Sequence, residues 1–410
     1  MAAMTPRGVA ILGATGSIGR SALAVIDRHQ ERFRVVALSA HTSAPDLDAL
    51  AQTWEPELVV LSGEPDRSFD PGWRGEWRFG NEGLAAAIER PDVDIVLNAL
   101  VGIAGLGPTL RALRAGKRLA LANKESLVTG GKLVLDALAA GGGELVPVDS
   151  EHSAVHQCLG GGDARGVRRL ILTASGGPFR DLSAADLAGV TAEQALDHPT
   201  WDMGAKITVD SATLANKALE VIEAHHLFSL PYERIEVVVH PTSIVHSMVE
   251  FRDGSILAQL GRPTMEIPIL HALAWPDRVE DGGMGEGFDP VRDGPLSFEA
   301  LRVDAFPMFR IGVEAGRAGG RAPVVYNAAN EIGVEAFLAG RIGFPAIAET
   351  VEHVLGCVEP APLRDETDVW ETDAAARRLA RTALEPTPGT RGRPAGDSRE
   401  AADASTTREV

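Results

Sequence analysis

Gly13-Ala-Thr-Gly16-Ser-Ile-Gly19 follows the apolar run Val9-Ala-Ile-Leu12 and precedes a helical stretch at 21–29. This order constrains the fold more than any other part of the chain. A buried strand that turns on glycines into a helix opens a βαβ unit. The glycines fall three and three apart, a variant of the dinucleotide fingerprint. Gly13 permits the tight turn, Gly16 lets backbone approach a pyrophosphate, and Gly19 lets the helix pack closely. The helix start then offers its N–H groups to the pyrophosphate. The plain alternative is a chance glycine-rich turn, which the flanking strand and helix argue against.

The rhythm continues. Segments 34–39, 58–61, 95–99 and 118–122 read as strands with helical stretches between them. Residues 1–148 are therefore expected to form a Rossmann-like parallel-sheet domain. From Asp149 the pattern becomes α+β, with strands at 170–174, 236–240, 247–251 and 255–259 and helices at 211–228 and 264–274. Arg252-Asp-Gly254 reads as a hairpin turn. This predicts a central catalytic domain over 149–275, with 176–206 as a lid loop rich in Gly and Pro. Residues 276–305 read as a linker, 306–385 as a C-terminal helical domain and 386–410 as a disordered tail. The fold class is α/β.

A chain of 410 residues is too long for one ordinary core. Its net charge of −18 argues against nucleic-acid or anionic-membrane partners. Two distant cysteines exclude a disulfide framework and favour a reducing cytoplasm. No signal peptide or spanning apolar run is apparent, so a cytoplasmic, soluble protein is expected.

The end of the second strand should read the cofactor ribose, where an NAD enzyme places Asp or Glu. Ala40-His41-Thr42-Ser43 stands there. The missing carboxylate points toward NADP, but no Lys or Arg is present either. A 2′-phosphate would need His41 or a remote Arg. Asn123-Lys124-Glu125 closes another strand, where ligands of parallel sheets collect. Lys124 serves a phosphate or a cofactor carbonyl there, or else is a solvated partner of Glu125.

Asp149 and Glu151 alternate by two, so in extended backbone both point to one side. With Glu220 they would make an all-oxygen site for Mg²⁺ or Mn²⁺; the alternative is a helix-capping Asp-Ser-Glu. His152 and His156 lack a matching Cys/His set, so partly buried surface histidines are preferred to a zinc site. Ser175-Gly-Gly-Pro-Phe179 suits a phosphate, or is a plain turn. In the run from His198 to Glu220, Asn216, Lys217 and Glu220 share one helical face, and Ser211 adds a hydroxyl at the presumed helix start. Cys158 has no adjacent base and reads as a buried thiol. Met248 and Met265 read as core.

Together these motifs resemble the 1-deoxy-D-xylulose 5-phosphate reductoisomerase family. Further matching stretches are 121–128, His240-Pro-Thr-Ser-Ile-Val-His-Ser-Met248, 253–261 and Asn327-Ala-Ala-Asn-Glu331. The resemblance spans about residues 8–340. It implies rearrangement and NADPH-dependent reduction of 1-deoxy-D-xylulose 5-phosphate to 2-C-methyl-D-erythritol 4-phosphate, with Mn²⁺ or Mg²⁺ and Co²⁺ as a substitute. It implies that Thr15, Gly16, Ser17 and Ile18 hold NADPH, with Asn123, Glu125 and Gly204 nearby. His41, Thr42 and Ser43 are expected at its ribose. It implies that Asp149, Glu151 and Glu220 bind the metal. Ser150, Lys124, Glu151, Ser175, His198, Ser211, Asn216, Lys217 and Glu220 would hold the substrate, under a lid bearing Trp201 and Met203. Lys124 and His198 join the three carboxylates as candidate catalytic groups. A homodimer is expected. The chain departs from the family at His41-Thr42-Ser43, where Gly, then Lys or Arg, then Asn is usual. It departs again at Glu266, where an uncharged or basic residue is expected.

Two rivals remain. A semialdehyde dehydrogenase also uses Gly-x-x-Gly-x-x-Gly, but needs a nucleophilic Cys. A nucleotide-sensing binding protein needs no metal carboxylates.

Overall fold

The computed structural model describes residues 5–64, 69–161, 164–280, 282–283 and 287–385. The tail expected at 386–410 lies outside them.

Seven short strands rich in Val, Ile, Leu and Ala build the first sheet. They are β1 (Arg7–Leu12), β2 (Phe33–Ala40), β3 (Leu58–Leu61), β4 (Glu76–Phe79), β5 (Ile95–Asn98), β6 (Arg118–Leu121) and β7 (Glu144–Pro147). Their order is β4-β3-β2-β1-β5-β6-β7, and every pair is parallel. Between them run α1 (Ser17–Asp27), α2 (Ala44–Trp54), α3 (Gly80–Glu89), α4 (Leu106–Arg114) and α5 (Lys124–Gly141). Most of the strands are buried on both faces, as helix-covered parallel strands are. The strand order reverses at β1 and β5, which opens a crevice at their carboxyl ends. β4 is invisible in the sequence because Glu-Trp-Arg-Phe is a largely exposed edge with no apolar run.

α6 (Ser150–Leu159) leads into a five-stranded sheet. It holds β8 (Val167–Ala174), β9 (Ile235–Val239), β10 (Val245–Phe251), β11 (Ile256–Leu260) and β12 (Glu299–Ala300), in the order β11-β10-β8-β9-β12. β12 falls inside the segment read as a linker and closes one edge against β9. β8 and β9 are parallel, so a long crossover must join them. That crossover carries α7 (Ala192–Leu196), α8 (Ala205–Thr213) and α9 (Ala215–Phe228). α10 (Glu266–Ala274) returns to pack on α1. α11 (Pro307–Ala318), α12 (Ala322–Leu338), α13 (Pro345–Cys357) and α14 (Glu366–Ala383) follow. These last helices do not keep a core to themselves. One continuous apolar cluster joins Leu170 and Leu172 of β8 to Leu219 and Ile222 of α9, Tyr326 of α12 and Ala380 of α14.

Two local expectations are corrected. The helix read at 211–228 begins at Ala205 and breaks at Leu214, whose φ is +63°. Ser211 therefore lies in the last turn of α8, so its hydroxyl does not mark a helix start. The segment 176–206 is not a bare loop. It contains a 3-10 turn at Asp186–Gly189 and α7, and Phe179, Leu187 and Ala195 are buried. The stretch 197–204 before α8 lacks regular structure, as do the turns of 176–185.

Candidate active site

The candidates at 15–18, 41–43, 123–125, 149–151 and 175 lie at carboxyl ends of strands, and His198, Gly204, Ser211, Asn216, Lys217 and Glu220 come from the crossover that carries α8 and α9. The turn after β1 is set by Gly13, whose φ is +90° and where a Cβ would meet the Ala99 carbonyl at 2.6 Å. At Gly19 a Cβ would sit 2.4 Å from the Gly13 carbonyl, so α1 and the turn touch only because both are glycine. Thr15, Gly16, His41, Thr42 and Ser43 line a cleft of 1070 Å³ that continues past Ala99, Leu100 and Val101 after β5. The start of α1 faces it with no side-chain cap. A nucleotide's pyrophosphate fits such a cradle.

A second cavity, of 180 Å³, adjoins the same turn. Ser17 and Ile18 form one wall, and Lys124, Asp149, Ser150, Glu151, Ser175, Gly204, Ser211, Asn216, Lys217 and Glu220 line it elsewhere. Trp201 and Met203 line it too, and Met265 lines it as well as packing on the core.

Asp149 follows β7 and immediately precedes α6, while Glu151 lies in the first turn of that helix. The backbone there is helical from Ser150 on, so the two carboxylates do not project from one face of a strand as their spacing of two predicts. What joins them is the approach of α9. Oxygens of Asp149, Glu151 and Glu220 lie within 4.8 Å of one another. Lys124 Nζ donates to Asp149 Oδ2 at 2.6 Å, to Asn216 Oδ1 at 2.8 Å and to Glu220 Oε1 at 3.2 Å. Lys217 Nζ donates to Glu151 Oε1 at 2.8 Å and also to Glu220. Lys124, Lys217 and Glu220 are buried. Burial disfavours both ammonium charges, yet the surrounding carboxylates hold both lysines protonated. Burial and then the Glu151 charge push the Glu220 carboxyl up to about 7. Burial opposes the Asp149 charge too, but Lys124 and His152 hold its carboxyl well below the ordinary range.

With Glu220 ionised, three carboxylates against two ammonium groups leave one negative charge uncompensated, and the buried Oδ1 of Asp149 has no hydrogen-bond partner among the described residues. An all-oxygen donor set with surplus negative charge fits a hard divalent cation.

His198 is placed by two contacts on each side of its ring. Its Nδ1 accepts from Thr200 N at 3.1 Å and Trp201 N at 3.0 Å. Its Nε2 lies 3.1 Å from both Ser175 Oγ and Ser211 Oγ. With Nδ1 accepting, the proton sits on Nε2. Burial lowers the His198 pKa, which favours this neutral donor. Gly177, with φ +69°, lets the turn after β8 meet α8, because a Cβ there would lie 2.8 Å from the Ser211 carbonyl. The hydroxyls of Ser175 and Ser211 thus meet at one imidazole.

Asn123 and Glu125 line neither cavity. Asn123 caps α5 and donates to Leu100 O and Gly102 O at 2.8 and 3.0 Å, fixing the loop after β5. Glu125 accepts from Asn123 and from Lys206, which is paired in turn with Asp210. Asn330 of α12 donates to Asp210 Oδ1 at 2.7 Å, so this motif anchors the C-terminal helices to the active-site helix.

His152 is not a surface histidine; it is wholly buried. Its Nδ1 stands 3.1 Å from Glu223 Oε2 and 3.3 Å from Asp149 Oδ1, at ion-pair distance but off the hydrogen-bond line. Asp149, His152 and Glu223 could by distance hold a metal too. Burial opposes its charge, but Glu223 and Asp149 raise its pKa well above the ordinary value, and a protonated imidazole cannot ligate. Sequence reading missed Glu223, though its spacing of three from Glu220 on one helix was the available signal. Glu266 is explained: Arg28, the C-cap of α1, pairs with it at 2.6 Å, joining that end of α1 to α10. Cys158 does not line the cavity, and burial raises its thiol pKa to about 11, which leaves no thiolate for nucleophilic work.

Comparisons with known proteins agree along the chain. Residues 9–131 match the profile of 1-deoxy-D-xylulose 5-phosphate reductoisomerase, and residues 145–228 and 260–379 match two profiles of its C-terminal domains. A reductoisomerase of Xanthomonas axonopodis pv. citri is 52% identical over 398 residues, covering 94% of this chain and 98% of that protein. One of Acidithiobacillus ferrooxidans is 49% identical over 382 residues, covering 91% and 96%. The Zymomonas mobilis enzyme in complex with NADPH superposes with a TM-score of 0.85 at 45% identity, over 93% of this chain and 100% of that one. A reductoisomerase bound to NADPH, fosmidomycin and magnesium gives 0.85 at 40% identity, over 92% and 98%. The chain belongs to the 1-deoxy-D-xylulose 5-phosphate reductoisomerase family.

Proposed function

We propose that this chain converts 1-deoxy-D-xylulose 5-phosphate to 2-C-methyl-D-erythritol 4-phosphate with NADPH and a divalent metal, Mn²⁺ or Mg²⁺. One observation carries the reading: Ser17 and Ile18 of the nucleotide turn form a wall of the cavity that also holds Asp149, Glu151 and Glu220. A dinucleotide in the larger cleft would therefore end beside the carboxylates. The ligands of the 40%-identical reductoisomerase structure, NADPH, magnesium and fosmidomycin, match the three parts of this arrangement.

Asp149, Glu151 and Glu220 would hold the metal, which supplies Lewis acidity toward the substrate's ketone and neighbouring hydroxyl. NADPH, which Thr15, Gly16, Ser17 and Ile18 would hold, would supply the hydride for the reduction. Ser175, Ser211 and Asn216 donate hydrogen bonds to the phosphate end, and His198 orients the two hydroxyls through its Nε2–H. Lys124 and Lys217, kept charged by their surroundings, offset negative charge that develops on substrate oxygens. Trp201 and Met203 cover the cavity and exclude water. Neither rival is favoured: the thiol of Cys158 is inert, and a sensor has no use for the carboxylate cluster.

We infer a homodimer from the free edge of β11, where Ile256 and Leu257 are about half exposed. An apolar edge strand is rarely left unpaired. Among the described residues no helix is long and apolar enough to cross a membrane; with two free cysteines, this supports a cytoplasmic setting. The direct test is NADPH oxidation in the presence of the deoxyxylulose phosphate, with Mn²⁺ and with EDTA. Turnover only with metal and substrate is expected; oxidation that ignores either one rejects the reading.

A further inference from the structure

An enzyme that uses NADPH must recognise the 2′-phosphate, and the end of β2 offers no Lys or Arg for it. Arg111 and Arg114 line the same cleft, but both stand in the last turn of α4. Helices of a βαβ unit run antiparallel to their strands, so that end of α4 lies toward the amino edge of the sheet, away from the turn after β2. Arg111 is also engaged by Glu89 at 2.6 Å.

A different cation reaches the right corner. Arg20 lies in the first turn of α1, at the carboxyl edge of the sheet. Its Nε donates to the carbonyl of Thr15 at 3.1 Å, which anchors the guanidinium on the fingerprint turn itself. Its Nη2 extends toward the first turn of α2 and stops 3.8 Å from Asp46 Oδ2, too long for a hydrogen bond. Ser43 precedes α2 without capping it, so its hydroxyl is not spent on its own helix. Thr15, whose carbonyl anchors Arg20, lines the cleft together with Thr42 and Ser43.

His41 is posed at the same corner. Its Nδ1 lies 3.1 Å from Ser62 Oγ. The ring rests on Gly63, where a Cβ would come 3.2 Å from Cε1 and 3.3 Å from Nδ1. Ser62 fixes the ring and Gly63 leaves room for it, so Nε2 is its remaining polar atom.

We propose that Arg20 reads the 2′-phosphate of the cofactor, with Thr42, Ser43 and the His41 ring completing the cradle. This rests on the NADPH reading above. Asp46 is the competing group, since a carboxylate near the ribose favours NAD. Its place in the first turn of α2 has a separate cause, the positive end of the helix dipole. Its loose approach to Arg20 leaves the guanidinium donors open to a phosphate, which takes charge-assisted bonds more strongly than a distant surface carboxylate.

The test is calorimetric binding of two cofactor fragments, 2′,5′-ADP and 5′-ADP, to the full chain, with no turnover involved. The parent should prefer 2′,5′-ADP. R20A should weaken 2′,5′-ADP roughly tenfold and leave 5′-ADP within about twofold. Arg20 is half exposed, so the fold should survive, and unchanged 5′-ADP binding reports that it has. D46N should move the other way and tighten 2′,5′-ADP. S62A, which frees the His41 ring, should cost about two- to threefold on 2′,5′-ADP alone. An unchanged preference in R20A overturns the proposal, as does equal weakening of both fragments, which would mark a structural role. A parent with no preference rejects the NADPH reading together with it.

Discussion

Glu220 shares its two oxygens among Lys217, Lys124 and Asn216 inside a buried pocket, with Glu151 close enough to raise its pKa. A carboxylate in that position is costly to the fold and useful to a cation. Glu220→Gln and Asp149→Asn should each lower turnover roughly 10²-fold or more, the scale of a lost Lewis-acid contact of a few kcal/mol. Glu220→Gln should not lower thermal stability without metal, because burial already disfavours the charge it removes. Near-normal turnover by either variant in EDTA would take the metal out of the mechanism. Sequence identified these carboxylates, but for a partly mistaken reason: Asp149 and Glu151 meet across a helix start, not along a strand.

At the scale of elements, two predictions concern the segments around the cavity. The irregular stretch 197–204 carries Trp201 and Met203, while the preceding helical turns bury Leu187 and Ala195. Lid motion is therefore expected only at 197–204. Limited proteolysis should cut there, and NADPH with a substrate-like phosphonate should protect it; equal cutting with and without ligand counts against closure. The second concerns α6 and α10, joined by His156 Nδ1 and His271 Nε2 at 2.9 Å beside Trp275. Burial, then the neighbouring His156, depresses His271 to about 3. A histidine held neutral by folding binds fewer protons folded than unfolded between the two pKa values. Its stabilising share is full above the ordinary value near 6.5, and is lost as pH falls from there toward 3. The slope from one such group is at most about 1.4 kcal/mol per pH unit. Denaturant melts at pH 7 and pH 5 should show a drop that His271→Gln reduces; an unchanged pH slope in the variant rejects the assignment.

For the whole molecule, the apolar core that joins β8 to α14 makes the catalytic sheet and the C-terminal helices one cooperative unit. Asn330 and Asp210 tie the same parts by a buried hydrogen bond. The free edge of β11 then becomes the natural place for a second copy. Leu257→Asp, on a half-exposed side chain, should shift the chain from dimer to monomer in light scattering while its melting remains cooperative. A parent that runs as a monomer at micromolar concentration dismisses the dimer.

What the sequence determined by itself is mostly local. Strand, glycine turn and helix are written in neighbouring residues, so the βαβ order, the fingerprint and the strands β1, β2, β3, β5 and β6 were legible without coordinates. The candidate site was legible as a set of residue types in motifs, together with the resemblance those motifs carry. Tertiary structure decided what depends on distant segments meeting. The exposed edge strand β4 has no apolar signal, and the break at Leu214 rests on a single left-handed residue that no pattern announces. His152 is buried only because α9 brings Glu223 against α6, 71 residues along the chain from it. Arg20 approaches Asp46 in the first turn of α2 because α1 and α2 both begin at the same edge of the sheet. Charge placed by packing leaves no trace in spacing, and this is why the residues at the end of the second strand carry no Lys or Arg while α1 brings Arg20 toward the first turn of α2.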